Sequence, residues 1–209
     1  MSIFAGTLAR GRFVPPVRYG ISSRTLFPQF TPEEYLEKLF QTQAQIIQWR
    51  EKDLSPESNL PLIQRGVELG RETGKLFVVN TFFDLAWKAG ADGVHLTGQQ
   101  DEVQTLEGIS RKRSRFLVGK SVHSLSEALK ADEAGVDYLL LAPVQSPLSK
   151  VSASPALGWQ GLREICDKVS CPVFALGGIT LEAEKRCIEC GAVGVAGISW
   201  MAGQIDRQQ

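Results

Sequence analysis

Several residues in this chain are suited to holding an anion or moving a proton, and their spacing is regular. Gln48, Arg50 and Lys52 alternate along Ile46-Ile47-Gln48-Trp49-Arg50-Glu51-Lys52-Asp53. Alternation along an extended strand end would aim all three to one side, toward an anionic ligand or as a solvated charged rim. Gly177-Gly178 and Gly197-Ile198-Ser199 each close an apolar run. Glycine lets backbone N–H groups approach an anion, and the N-terminus of a following helix adds partial positive charge. The plainer reading is two tight turns. Asn80 is a polar stop after Leu76-Phe77-Val78-Val79 and could read a ligand or cap a turn. His123 follows Lys120-Ser121-Val122, and imidazole is the side chain best suited to proton transfer near neutral pH. His95, inside Gly93-Val94-His95-Leu96, reads more as a buried, satisfied histidine than as a catalyst. Lys150 lies in a long polar loop, where it could cover an anion or stand exposed.

The elements that must position these residues recur along the chain. A helix end runs into an apolar strand at Ala89-Gly90-Ala91-Asp92-Gly93-Val94-His95-Leu96. It does so again at Ala134-Gly135-Val136-Asp137-Tyr138-Leu139-Leu140-Leu141 and at Cys190-Gly191-Ala192-Val193-Gly194-Val195-Ala196-Gly197-Ile198. Each glycine can take positive φ and end a helix. The apolar run after it suits a strand buried on both faces, as in a parallel sheet. Spacings of about 45 and about 56 residues fit one or two βα units per repeat. The pattern predicts an α/β fold, a single-domain (β/α)8 TIM barrel over residues 1–209 with an irregular segment at 1–17. Strands are expected at Arg18–Ser22, Ile46–Trp49, Leu76–Asn80, Gly93–Leu96, Phe116–Ser121, Tyr138–Ala142, Pro172–Leu176 and Gly194–Ile198. Thr31-Pro32-Glu33-Glu34 starts a helix to about Gln43, and Ser55-Pro56-Glu57 starts one closing near Gly74. Ser124 to Ala134 is a third helix. The loop from Pro143 to Gly158 is the candidate flap. In such a barrel the chemistry sits at the C-terminal ends of the strands, where all the residues singled out above fall.

Composition narrows the function. Of 209 residues, 43% are apolar, ample for one large core. Lys+Arg and Asp+Glu balance at 23 each, which favours neither nucleic acid nor an anionic membrane as partner. No apolar run reaches the roughly 18 residues of a membrane span. Met1 to Gly6 lack a signal-peptide apolar region, so a cytoplasmic location is expected. The four cysteines, Cys166, Cys171, Cys187 and Cys190, have irregular spacing for zinc. Cys187 and Cys190 fall mid-to-late in a helix, unlike a redox pair, and all four read as small apolar packing residues.

Taken in order, Gln48-Trp49-Arg50-Glu51-Lys52, Asn80, Asp92-Gly93-Val94-His95-Leu96, Ser121-Val122-His123-Ser124, the Pro143 to Lys150 loop, Gly177-Gly178-Ile179 and Gly197-Ile198-Ser199 make a recognisable pattern. The chain resembles the thiamine-phosphate synthase and TenI superfamily over about residues 18–202. The resemblance implies a TIM barrel, a homodimer, and a small phosphorylated thiazole as substrate. In its synthase branch an aminopyrimidine diphosphate is joined to a thiazole phosphate, and pyrophosphate is released with Mg²⁺. Gln48, Arg50 and Lys52 would then hold the diphosphate, with Asn80 and Lys150 assisting. Gly178, Ile198 and Ser199 would hold the thiazole phosphate. Ser121, Ser149, Gly177 and Gly197 complete the implied binding positions.

The chain departs from the synthase pattern in three places. An Asp expected after the Asn is Thr81, a poor ligand for Mg²⁺. Thr97 displaces Gly98-Gln99-Gln100-Asp101 by one residue. A Thr-x-Thr-Lys run in the loop is here Pro147-Leu148-Ser149-Lys150, leaving one hydroxyl. Lys120-Ser121-Val122-His123-Ser124-Leu125 looks more like the TenI branch, the thiazole tautomerases, which need no metal. The implied reaction is aromatisation of a carboxythiazole phosphate tautomer, with His123 as acid/base and no cofactor. That branch often keeps the Asn-Asp pair too, so Thr81 argues only against the synthase. Mg²⁺ enters only if the chain is a synthase. A third class is a non-catalytic regulator that binds a thiazole phosphate.

Overall fold

The computed structural model describes residues 13–98, 116–146 and 155–206. Eight parallel strands follow one another in chain order and close into a barrel. They are β1 (Val17–Ile21), β2 (Ile46–Trp49), β3 (Leu76–Asn80), β4 (Gly93–Leu96), β5 (Leu117–Val122), β6 (Tyr138–Leu141), β7 (Val173–Ala175) and β8 (Gly194–Gly197). The α-helices among the described residues are α1 (Pro32–Phe40), α2 (Pro56–Thr73), α3 (Phe83–Ala89), α4 (Leu125–Ala134), α5 (Gly158–Lys168), α6 (Glu184–Glu189) and α7 (Ser199–Asp206). The expected α/β barrel is therefore what the chain forms. Among the described residues no helix is long and apolar enough to cross a membrane.

The chain groups into two compact units. One comprises residues 18–95, 116–117 and 197–206. In it β1, β2, β3 and β4 pair in parallel, with Ile21 opposite Gln48, Gln48 opposite Val78, and Asn80 opposite His95. Helix α1 begins at a capping box: Glu34 N–H donates to the Thr31 hydroxyl and Thr31 N–H to the Glu34 carboxylate. It stops at Phe40, short of Gln43, because the Lys75 ammonium takes the carbonyls of Phe40 and Thr42 at 2.8 and 2.5 Å. Helix α2 is joined to β2 by a buried pair, with Trp49 Nε1 donating to Asn59 Oδ1 at 2.8 Å. The helix end expected at Ala89-Gly90 belongs to α3, whose start the sequence did not mark. This helix is short, and Phe82 at its N-cap offers no side-chain acceptor.

The other unit comprises residues 13–17, 96–98, 118–146 and 155–196. Strands β5 to β8 pair in parallel here, with Ser121 opposite Leu140 and Leu141 opposite Ala175. Phe13, Tyr138 and Phe174 pack edge-on with ring centres 5.5–6.3 Å apart.

The repeated helix–strand junctions set the register at the N-terminal end of the strands. Gly90 and Gly135 close α3 and α4 in the left-handed region, with φ of 77° and 90°. Two residues on, the Asp92 carboxylate accepts from Phe77 N–H at 2.9 Å, and Asp92 N–H donates to Phe77 O at 2.9 Å. Asp137 does the same with Val118, at 2.7 and 2.8 Å. In the third copy Val193 stands where the Asp would be, and only the backbone bond to Val173 O remains, at 2.9 Å. Replacing Asp137 with Ala leaves Val118 N–H without that acceptor, at about 1–3 kcal/mol. For a chain of this size each kcal/mol shifts Tm by roughly 2–4 °C. We expect Asp137→Ala to lower Tm by several degrees in thermal denaturation while leaving ligand affinity intact. A matching loss of affinity would show that the junction reaches the other end of the barrel.

Candidate active site

At the C-terminal end of β2 the strand stops at Trp49, and Lys52 and Asp53 form a turn. The strict alternation expected for Gln48, Arg50 and Lys52 therefore ends with the strand. Gln48 is buried at 1% exposure, and its Nε2 donates to Tyr19 Oη at 2.9 Å. Arg50 is half-buried and Lys52 exposed. Arg50 N–H donates to Ser22 Oγ at 2.7 Å.

The residue between them, Glu51, was not singled out in the sequence, although it sits inside the charged run. It is 5% exposed, and its two carboxylate oxygens accept from Arg24 N–H at 3.0 and 3.1 Å. Arg24 in turn reaches the Asp53 carboxylate. Burial pushes the Glu51 carboxyl above the ordinary carboxylate range, and hydrogen bonds from Ser22 and Arg24 pull it partly back. Glu51 thus ties the loop after β1 to the end of β2 that carries Arg50.

Asn80 ends β3, buried, with Nδ2 donating to Thr81 Oγ1 at 2.6 Å. Thr81 is in the left-handed region at φ 69°, costly for a β-branched residue. Thr81 N–H donates to His95 O at 2.9 Å. His95 is 2% exposed, with its ring edge-on to Tyr19 at 6.4 Å. Thr81 thus puts a hydroxyl where the resemblance expects a carboxylate for Mg²⁺. Among the described residues no group of three or more His, Cys, Asp or Glu is arranged to hold a metal ion. Asp101 lies outside the described residues, as do Ser149 and Lys150.

Beyond β8 the backbone bends at Ile198 and enters α7 at Ser199. Ala202 N–H makes the first helical bond, to Ile198 O at 2.9 Å, so the N–H groups of Ser199, Trp200 and Met201 have no acceptor in an earlier turn of α7. A Cβ on Gly197 would lie 2.5 Å from the Trp200 ring.

In the other unit, β5 carries Lys120, buried at 5% exposure, and the half-buried Ser121. His123 stands exposed just past β5, before α4. Its N–H donates to Glu127 Oε2 at 2.8 Å, while Ser124 Oγ caps α4 by accepting from Glu127 N–H at 3.2 Å. His123 Nδ1 lies 2.6 Å from Ala142 O, at the end of β6. A carbonyl oxygen only accepts, so Nδ1 carries a proton, and in its neutral form the ring presents the Nε2 lone pair. A Cβ built on Gly98 would lie 3.8 Å from Nε2, so glycine there leaves room beside it.

Gly177 and Gly178 are both at positive φ, 84° and 62°. A Cβ on Gly177 would lie 2.8 Å from Pro143 Cα, and one on Gly178 2.6 Å from Gln145 O. Only glycine meets both demands. The base of the Pro143–Gly158 loop is held on both sides: Val144 and Gln145 N–H donate to Leu176 and Gly177 O at 2.9 and 3.0 Å, and Leu157 N–H to Pro143 O at 3.0 Å. All four cysteines are free, and burial pushes the Cys166 and Cys187 thiols to about 12, unsuited to thiolate chemistry.

A closed parallel barrel with a histidine and paired glycines at its strand ends has the architecture of the βα-barrel enzymes. The family model for thiamine monophosphate synthase matches residues 18–201, and the chain belongs to that family. It is 40% identical over 164 residues to a thiamine-phosphate synthase of Methanoregula boonei, covering 78% of this chain and 74% of that one. With the thiamine-phosphate synthase of Methanocella arvoryzae it shares 33% identity over 189 residues, 90% of this chain and 88% of the relative. Among solved structures, a thiamine phosphate pyrophosphorylase from Pyrococcus furiosus superposes with a TM-score of 0.76 at 27% identity, covering 91% and 96% of the two chains.

The raised Glu51 carboxyl has a pH consequence. A group whose folded-state pKa lies above its unfolded value stabilises fully below the unfolded value and loses that contribution as pH rises through the folded one. Glu51→Gln keeps an acceptor for Arg24 N–H and removes the buried charge. We expect the Tm of Glu51→Gln relative to wild type to be highest near neutral pH and to shrink toward pH 4. Melting curves across that range check it, and a difference that grows in acid would contradict it.

Proposed function

We propose that this chain acts on a phosphorylated thiazole in thiamine biosynthesis, by isomerising a carboxythiazole phosphate tautomer to its aromatic form without a metal. The observation that carries this reading is the 2.6 Å contact of His123 Nδ1 with Ala142 O, which leaves Nε2 free to take and return a proton. In this reaction the imidazole removes a proton from a ring carbon and delivers one to an exocyclic carbon, so the composition of the substrate does not change. Aromatisation drives it, and one imidazole can serve both proton transfers. As the resemblance implies, backbone N–H groups at Gly178, Ile198 and Ser199 hold the phosphate, with Gly177 and Gly197 allowing its approach. Arg50 or Lys52 takes the substrate carboxylate in a charge-assisted hydrogen bond.

The names of the relatives support a second reading more directly: thiamine-phosphate synthase, joining an aminopyrimidine diphosphate to the thiazole phosphate. Thr81, with a hydroxyl in place of a carboxylate, favours the first.

A paired assay separates them. One arm supplies aminopyrimidine diphosphate, thiazole phosphate and Mg²⁺ and follows pyrophosphate. The other supplies the unaromatised carboxythiazole phosphate with EDTA and follows aromatic absorbance. We expect aromatisation in EDTA and no pyrophosphate, and His123→Ala to lower kcat by about 10²–10⁴-fold. Metal-dependent pyrophosphate release would establish the synthase instead. Binding of thiazole phosphate with turnover in neither arm would make the chain a regulator.

A further inference from the structure

The loop after β6 carries a polar group that the functional reading leaves unused. Gln145 Nε2 is buried and has no hydrogen-bond partner. A buried amide donor is costly to leave unmade, and a hydrocarbon of the same shape would fill the space at lower cost. The backbone beside it packs against the glycine turn. Gln145 N–H donates to Gly177 O at 3.0 Å, and Gln145 O lies 2.6 Å from where a Cβ on Gly178 would be. The Ala142 carbonyl three residues earlier holds His123 Nδ1 at 2.6 Å. One short segment therefore orients the imidazole, backs the glycine turn and carries a buried, unpaired donor.

We infer that Gln145 is a ligand-binding and specificity residue whose Nε2 donates to an anionic oxygen of the bound thiazole, either of its phosphate or of its carboxylate. This rests on the proposal that the site takes a phosphorylated thiazole. The ligand oxygen supplies the missing acceptor. In the ligand-free protein the donor stays unsatisfied, so the side chain lowers stability while it raises affinity.

Calorimetric titration of the full chain with thiazole phosphate and with its carboxylated form tests this, using wild type, Gln145→Met and Gln145→Glu. Methionine keeps the volume and removes the donor; glutamate keeps the shape and sets a negative charge against the anion. A hydrogen bond to a charged group corresponds to about a tenfold or larger change in Kd. We expect Gln145→Met to weaken binding by that factor with a ligand-free Tm unchanged or raised, and Gln145→Glu to weaken it further. Loss with both ligands assigns the phosphate oxygen, and loss confined to the carboxylated form assigns the carboxylate. Unchanged affinity in both variants would overturn the proposal, as would a ligand-free Tm several degrees lower in Gln145→Met, which would mark a packing role. If wild type binds neither compound, the functional reading itself fails, and this proposal with it.

Discussion

Asp92 and Asp137 each hold a strand at its first residues, through a carboxylate on one N–H and a backbone bond to the same residue's carbonyl. This paired contact fixes which residue of each strand lies opposite which, and so which residues fall at the far end. A slip of one position would turn every inward side chain outward. With β3 held at Phe77, Asn80 arrives opposite His95; with β5 held at Val118, Ser121 arrives opposite Leu140 and His123 emerges just past the strand. Stability and chemistry thus occupy opposite ends of the same strands.

At the functional end the backbone does more than the charges. Two consecutive glycines in the left-handed region, a helix that starts at Ser199, and a carbonyl on the His123 ring are all main-chain devices. The carbonyl orients the imidazole, and the glycine backbone and the helix start suit the approach of an anion. The ionisable side chains of Lys120 and Glu51 are nevertheless buried, and burial raises the proton affinity of the Glu51 carboxylate. Glu51 holds another backbone group, the Arg24 N–H.

The tension over function is local to a few positions. The family as a whole is fixed by a match that spans residues 18–201. Thr81, held at positive φ and bonded to Asn80, bears on whether a metal could be held there. The imidazole of His123, with Nδ1 held by the Ala142 carbonyl, bears on whether a proton could be shuttled. The proposed proton transfer rests on these two positions, while the names of the relatives point to the condensation.

Much of this was legible in the sequence. The three Gly-containing junctions, the buried apolar runs and the Thr31-Pro32 helix start specify the barrel locally, because helix ends and doubly buried strands depend on nearest neighbours and simple periodicity. The paired glycines at 177 and 178 could also be read, since few other residues reach positive φ cheaply. What the sequence could not decide depends on contacts between residues far apart in the chain. Gln48 is buried with its amide on Tyr19, 29 positions away. Glu51 is buried because a loop 27 positions earlier needs an acceptor. The tautomer of His123 is set by a carbonyl 19 positions later. Composition and periodicity say which residues can do chemistry; only the closed barrel brings each to the partner that determines its charge, its tautomer and its exposure.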